Sequence, residues 1–365
     1  MNNNTHFRHT KRSLLSALLC CLCMLASAQQ PLKNKIDSII QTKKEKADSL
    51  YRHVDSLAKE HRVIERIDSV IDKKHAKDNF DPKYIVRSKA RWTLKARLNV
   101  SGAHLSTSSV DDGIKTTTDM DADLKTTISF AVSYRGFSLG LGVNPVKIFK
   151  KSSDMELNFN SYGAKLGFDI TFQRANSFKG TAKSGDAEIK LAKGFVRQTM
   201  FTVNSYYAFN NKRFSYAAAF SQTFDQKKSA GSFLVGISYM ASKTTTEGDK
   251  DYNISPMRLY MGHLGVGVGY GYNFVIKDKW LIHVSTLPTL VVINRDNVTI
   301  DGNKEKMPYY FPSIINTGHI AAIRYFKNYF AGITAVINTS SIGRSDHLQF
   351  VHTKWRTRLV FGIRL

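Results

Sequence analysis

Basic residues recur at alternate positions near both ends of the C-terminal three-quarters of this chain: Lys95 and Arg97 early, Arg356, Arg358 and Arg364 late. On a β-strand, side chains two apart share a face, so each set would line one side of one strand. If those strands closed a barrel against each other, the two sets would form a basic wall inside it, and Lys125, Arg135 and Lys165 would extend that wall. Arginine and lysine lining a pore favour anions, so the chemistry on offer is anion selection or a site for an acidic solute. The alternative is that these groups pair with Asp169 or with an acidic plug and fill the lumen, because narrow barrels pack their interiors with side chains. A second basic group lies in Gln226, Lys227, Lys228, Ser229, Ala230, Gly231 and Ser232. Two lysines beside small residues suit an anion-binding nest of backbone amides. A turn of family-specific shape, or a loop folded into the lumen as a constriction, fits the same residues.

Other chemistry is thinly represented. The histidines at 104, 263, 283, 319, 347 and 352 have no serine or acid at a recognised catalytic spacing, and a base must come within hydrogen-bond reach of its nucleophile. The pattern is read as non-enzymatic, with a membrane-embedded hydrolase as the remote alternative. Asp119, Asp121 and Asp123 could offer oxygen ligands to calcium, but solvated loop charge accounts for them better. No metal and no cofactor is expected. All three cysteines (20, 21 and 23) fall within the N-terminal apolar run, which leaves no disulfide or thiol chemistry after it.

The elements that would position the basic wall begin with the C-terminal strand. From Trp355 to Leu365, residues Trp355, Thr357, Leu359, Phe361, Ile363 and Leu365 fall on one face, opposite Arg356, Arg358, Val360, Gly362 and Arg364. Lipid on one side and a polar lumen on the other explain such a pattern, and a terminal strand with a hydrophobic last residue suits the outer-membrane barrel assembly machinery. At the other end, basic residues 8, 11 and 12 precede an apolar run from Leu14 to Leu25 and the small-x-small site Ala26-Ser27-Ala28. That is the form of a secretory signal peptide over 1–28. An exported chain lacking a long apolar helix can still span lipid as a closed barrel. Loss of the signal leaves 50 of the 53 Lys and Arg against 29 Asp and Glu, a formal +21. For an exported chain this excess points to anionic headgroups, lipopolysaccharide or acidic solutes and away from nucleic acid.

Residues 29–80 read as a periplasmic amphipathic helix, because Ile36, Ile39, Ile40, Leu50, Val54, Leu57, Ile64, Ile67 and Ile71 recur mostly at spacings of three and four. Residues 81–365 read as the barrel. The expected fold is all-β: a transmembrane antiparallel barrel of about 12 strands, within a range of 10 to 14, after a long helix. The segments are 91–105, 121–134, 136–144, 158–174, 195–210, 213–225, 230–242, 257–275, 279–293, 313–326, 329–341 and 347–365. Tight turns at 135–136, 210–213, 277–279 and 327–328 suit periplasmic hairpins. Longer stretches at 106–120, 145–157, 241–256 and 294–312 suit outer loops. Segments 158–174 and 195–210 would both have to run the same way, so one is miscounted, or 175–194 holds a strand or an inward fold. One face of the eighth segment, 257–275, is Gly265, Gly267, Gly269, Gly271 and Asn273, which makes room for a crowding neighbour or for sharp curvature.

The stretches 79–85 (Asn-Phe-Asp-Pro-Lys-Tyr-Ile), 206–216 (Tyr-Tyr-Ala-Phe-Asn-Asn-Lys-Arg-Phe-Ser-Tyr), Ser221-Gln222 and 226–232 resemble the DUF4421 family of Bacteroides-type bacteria. The resemblance covers about 79–365. It implies an outer-membrane barrel and carries no activity.

Two functions are carried forward. The first is a pore for small anionic solutes. The second is a structural or partner-binding envelope protein with a plugged lumen, whose helix docks a periplasmic protein or a second copy, since an isolated amphipathic helix is marginal in water.

Overall fold

The computed structural model describes residues 79–365 apart from 89, 112, 135–136, 144–153, 164, 249–254, 278 and 345, and gives the backbone alone for 137–143. The expected signal peptide lies outside the described residues, as does nearly all of the expected helix over 29–80. Positions 41, 45, 48, 49, 52, 68–70 and 73 are helical. Residues 78–365 form one compact unit.

Period-two text becomes strands, as it should when one face is wetted differently from the other. In chain order they are β1 (Ile85–Arg87), β2 (Trp92–Asp111), β3 (Ile114–Asp121), β4 (Lys125–Tyr134), β5 (Phe137–Val143), β6 (Met155–Tyr162), β7 (Leu166–Ser184), β8 (Ala187–Ala208), β9 (Phe224–Gln226), β10 (Ala230–Thr246), β11 (Met257–Ile276), β12 (Trp280–Asn294), β13 (Asn297–Ile300), β14 (Asn303–Lys306), β15 (Ile314–Tyr325), β16 (Tyr329–Gly343) and β17 (Leu348–Arg364). Ten of them close a ring in the order β2-β3-β7-β8-β10-β11-β12-β15-β16-β17 and back to β2. The ladders around it are antiparallel.

The expected twelve and the observed ten meet in one part of the wall. β3 and β4 both pair with β2, β4 along Trp92 to Ser101 and β3 along His104 to Asp111. β7 pairs with β6 up to Arg174 and with β3 beyond Lys179. Three strands, β4, β5 and β6, therefore occupy the half of that wall nearer the barrel's termini, and β3 alone bridges the other half.

Several expected boundaries are corrected. Segment 158–174 is a hairpin, with a turn closed by the Gly163 amide donating to Leu166 O at 2.9 Å, and this resolves the conflict of strand direction. β7 and β8 run through 175–194, and the stretch expected as an outer loop at 106–120 is mostly β2 and β3. Those strands alternate little because Ser, Thr and Lys occupy both faces, so a hydrophobic period could not reveal them. Segment 213–225 is no wall strand, and the turn expected at 210–213 is the start of a longer insert.

Polarity inverts along the barrel axis. In the half nearer Trp92 and Leu365 (the terminal end), the outward residues are apolar. Phe233, Val235 and Ile237 on β10, Val266, Val268 and Phe274 on β11, and Val284, Leu290 and Val292 on β12 are exposed, with Phe233 at 71% and Val268 at 70%. Inward positions of the same strands hold Ser232, Ser238, Asn273, His283, Ser285 and Thr289, all buried. Toward the opposite loop end, the interior becomes apolar around Leu105, Met120, Phe178, Leu259 and Phe350. The exterior there carries exposed Lys179, Lys183, Glu188, Lys190 and Lys193.

Candidate functional site: a plugged lumen with a basic seam

Between β8 and β10 the chain turns into the barrel instead of reversing at its rim. Ser215 caps a short helix, Tyr216–Phe220, its hydroxyl accepting from the Ala218 amide at 3.2 Å. The three alanines 217–219 favour helix and are small enough to be buried completely, each at 0% exposure. Phe214, Tyr216, Phe220 and Phe224 of the insert pack against Leu234 of β10, Leu287 of β12, Ile323 of β15, Phe330 of β16 and Val360 of β17. Contact with that many wall strands makes the insert a plug. β9, within it, pairs with β1, with Ile85 opposite Gln226, so the segment before the barrel helps to hold the plug.

A helix end inside a barrel has carbonyls with no intrahelical partner, and here the wall and the plug itself supply partners. Ala218 O accepts from Tyr325 Oη at 2.7 Å, Ala219 O from Gln222 Nε2 at 2.7 Å, and Ser221 O from Lys95 Nζ at 2.5 Å. A cation at a helix C-terminus also complements its dipole. Asn273 Nδ2 on β11 donates to Ser215 O at 3.0 Å, and Tyr216 Oη donates to Ser285 Oγ on β12 at 2.6 Å.

The glycine row on β11 makes room for crowding neighbours, the first of its two expected purposes. A Cβ on Gly271 would sit 3.0 Å from Phe214 Cζ of the plug, whereas one on Gly267 would run into the backbone of β12 at Pro288.

The seam forms where β17 meets β2, with Arg358 opposite Asn99, Arg356 opposite Ser101, Val360 opposite Arg97 and Gly362 opposite Lys95. Lys95, Arg97, Arg356, Arg358 and Arg364 therefore share one inner wall, joined by Lys354, which the sequence reading left out. Two of these cations find carboxylates. Arg364 Nη1 donates to Asp225 Oδ1 of the plug at 2.7 Å, and its Nη2 to Gln222 O at 2.9 Å. Lys354 Nζ lies 3.3 Å from Glu156 Oε1 on β6. Arg358 Nε donates to the Asn99 amide oxygen at 2.7 Å and Arg356 Nη2 to that of Asn160 at 3.3 Å. Asp169, the nearby buried carboxylate, is held by His319 Nε2 at 3.1 Å and by the Tyr162 hydroxyl, which donates at 2.7 Å.

Of the remaining basic positions, Lys125 lies beside the seam, opposite Ser101 on β2, with its Nζ 4.0 Å from Asp154 Oδ2. Lys165 is exposed in the β6–β7 turn, and Arg135 is outside the described residues. In the loop motif, Gln226 ties the plug together. Its Oε1 accepts from the Ser215 amide at 3.2 Å and from Asn273 Nδ2 at 3.1 Å, and its Nε2 donates to Lys228 O at 3.0 Å. The Lys227 amide donates to Tyr84 O at 2.7 Å, its Nζ lies 3.7 Å from Asp225 Oδ2, and Lys228 Nζ stands 6.0 Å over the Tyr84 ring. Ser229 Oγ accepts from the Val275 amide at 2.9 Å, and Gly231 O from Asn210 Nδ2 at 2.8 Å. Glu156 and Asp225 escaped the sequence reading because their segments read as loop and wall strand. The alanine triplet after Ser215, helical text within period-two surroundings, was the available signal.

Two of the histidines make buried polar contacts. His263 Nε2 meets Asp296 at 2.9 Å, and His283 bonds Asn273 Oδ1 at 2.7 Å and Ser285 Oγ at 3.0 Å. Asp119 and Asp121 flank His104, at 3.7 and 3.0 Å, while Asp123 lies 3.9 Å from Lys179 and also pairs with Lys193. No group of His, Cys, Asp and Glu with the makings of a metal site occurs among the described residues.

Among solved structures, the chain is similar to the outer membrane protease OmpT of Escherichia coli (7% identity, 77% of this chain and 98% of that one, TM-score 0.42). It is also similar to the outer membrane protein OprG of Pseudomonas aeruginosa (12%, 76% and 98%, 0.28) and to the translocator domain of the autotransporter NalP of Neisseria meningitidis (13%, 87% and 98%, 0.31). No curated protein matches. Residues 77–364 match the family described as "Domain of unknown function (DUF4421)", and the chain belongs to that family.

Proposed function

We propose that this protein is an integral outer-membrane β-barrel closed at rest by its own plug. The membrane assignment is supported by the inverted wall. Exposed apolar side chains run from Trp280 to Val292 on β12, a rise of roughly 40 Å along the strand and about 30 Å along the normal at ordinary tilt, matching a hydrocarbon core. The lysines outside the loop end suit anionic headgroups or lipopolysaccharide. A periplasmic site for the helix over 29–80, and docking of a partner or a second copy through it, belong to the same proposal.

One observation carries the closed state: the buried plug bonded to β2, β11, β12, β15 and β17. It favours a gated or structural envelope protein over a constitutively open pore. Passage of small anions is the second reading, favoured by the seam's surplus of arginine, and it requires the plug to move. The proposed role is non-catalytic.

Planar-bilayer recording tests this. The intact mature chain is expected to be silent, and a variant with 214–224 replaced by a Gly/Ser linker is expected to conduct in steps with anion preference. Stepwise conductance of the intact chain equal to that of the variant would overturn the closed-state reading.

A further inference from the structure

We infer that Arg97, Arg356 and Arg358 form a binding site for a small oxyanion, of carboxylate or phosphate type, inside the lumen. The inference goes beyond the closed-barrel reading and uses it in one respect, that the wall shields the cluster from bulk water.

Register brings the three guanidinium groups together: Arg356 and Arg358 are alternate inward residues of β17, and Arg97 lies on the adjacent inner face of β2. They are close enough for their charges to act on one another. None has a carboxylate partner among the described residues. Arg356, at 9% exposure, has the Asn160 amide oxygen at 3.3 Å, Arg358 has that of Asn99 at 2.7 Å, and Arg97 has neither hydrogen bond nor ion pair among the described residues. Asp169 is already engaged by His319 and Tyr162, Glu156 by Lys354, and Asp225 by Arg364. Glu156 and Asp225 thus serve two other cations of the seam, and Asp169 is bonded to His319 and Tyr162.

Like charges held together away from water are costly unless a counter-charge joins them. None of the free guanidinium nitrogens of these three arginines is among the buried, unbonded atoms, so the unused donors keep accessible surface. Planar guanidinium forks match the oxygens of carboxylate and phosphate with two parallel hydrogen bonds. The ligand that completes this arrangement is an oxyanion; a spherical halide could use the charge but not the forks.

The experiment is calorimetric titration of the full mature chain, folded in maltoside micelles, with inorganic phosphate, acetate or chloride at constant ionic strength. Saturable binding of phosphate or acetate in preference to chloride is expected, and the favoured anion identifies the oxyanion class. Arg97→Gln, which removes no existing bond, should weaken that binding at least tenfold, Arg97→Lys less, and the exterior control Lys183→Gln not at all. Equal binding of chloride, no binding of either oxyanion, unchanged affinity in both Arg97→Gln and Arg358→Gln, or equal loss in Lys183→Gln would overturn the inference. Binding is read without any current, so a barrel that is silent and binds no oxyanion fails this inference alone. A barrel that conducts while intact fails the closed-state reading alone.

Discussion

Removing the Arg364 side chain should loosen the plug without opening the barrel. The guanidinium donates to Asp225 Oδ1 at 2.7 Å and to Gln222 O at 2.9 Å, and it lies 5.0 Å over Tyr325 and 5.5 Å over Phe330. Its side chain is 11% exposed and that of Asp225 25%. Breaking a fully buried pair costs about 3–5 kcal/mol. Partial solvation of Asp225, and Lys227 Nζ remaining 3.7 Å away, reduce this to about 2–3 kcal/mol. Local opening of the plug should then rise roughly 30- to 150-fold, at 1.4 kcal/mol per factor of ten. Native-state hydrogen exchange reads such openings segment by segment. In Arg364→Ala, the amides of Ser221 and Lys227, which bond Ala217 O at 3.1 Å and Tyr84 O at 2.7 Å, should exchange faster by that factor. The β15 ladder amides should not change. Asp225→Asn keeps an acceptor and should give roughly a fivefold effect, from about 1 kcal/mol. Unchanged plug amides, or an equal rise along β15, would refute the idea of a separately docked plug latched by this pair.

Gly271→Leu should lower the melting temperature in micelles, because even its Cβ arrives 3.0 Å from Phe214 and overpacking costs about 1–3 kcal/mol; an unchanged melt would mean the plug does not rest on β11. Val268→Arg places a charge on the outer face at a position 70% exposed. In lipid it should cost about 2–4 kcal/mol of unfolding free energy in liposomes, whereas on a water-facing wall the change would stay within about 0.5 kcal/mol.

The wall was legible wherever one face met something the other did not. β10, β11, β12, β16 and β17 alternate over most of their length, and their periods survive into burial patterns such as that of Ala230–Thr246. The seam was legible for the same reason, since Lys95, Arg97, Arg356, Arg358 and Arg364 needed only a strand period and a closed ring to converge. Illegible were the parts where alternation is uninformative. The Thr-rich β2–β3 hairpin reads as loop because both faces are polar. The hairpin at Gly163 reads as one strand because Tyr162 to Phe172 keeps its alternation across the turn.

From the amino-acid order alone came the class: strands with an apolar and a polar face, tight turns at one end, and a basic inner wall on the first and last strands. These are local properties, set by a period of two and by residue type, and they hold before any distant residues meet. Only the tertiary structure decided what the lumen contains. Whether Tyr216–Phe220 turns outward or inward depends on partners 47 to 107 residues further along, such as Asn273, Ser285 and Tyr325, and on the space left by Gly271. Which cations are neutralised depends equally on Glu156, Asp169 and Asp225 arriving from other strands. Charge pairing falls off over a few ångströms, and closing the ring is what brings these groups within that distance.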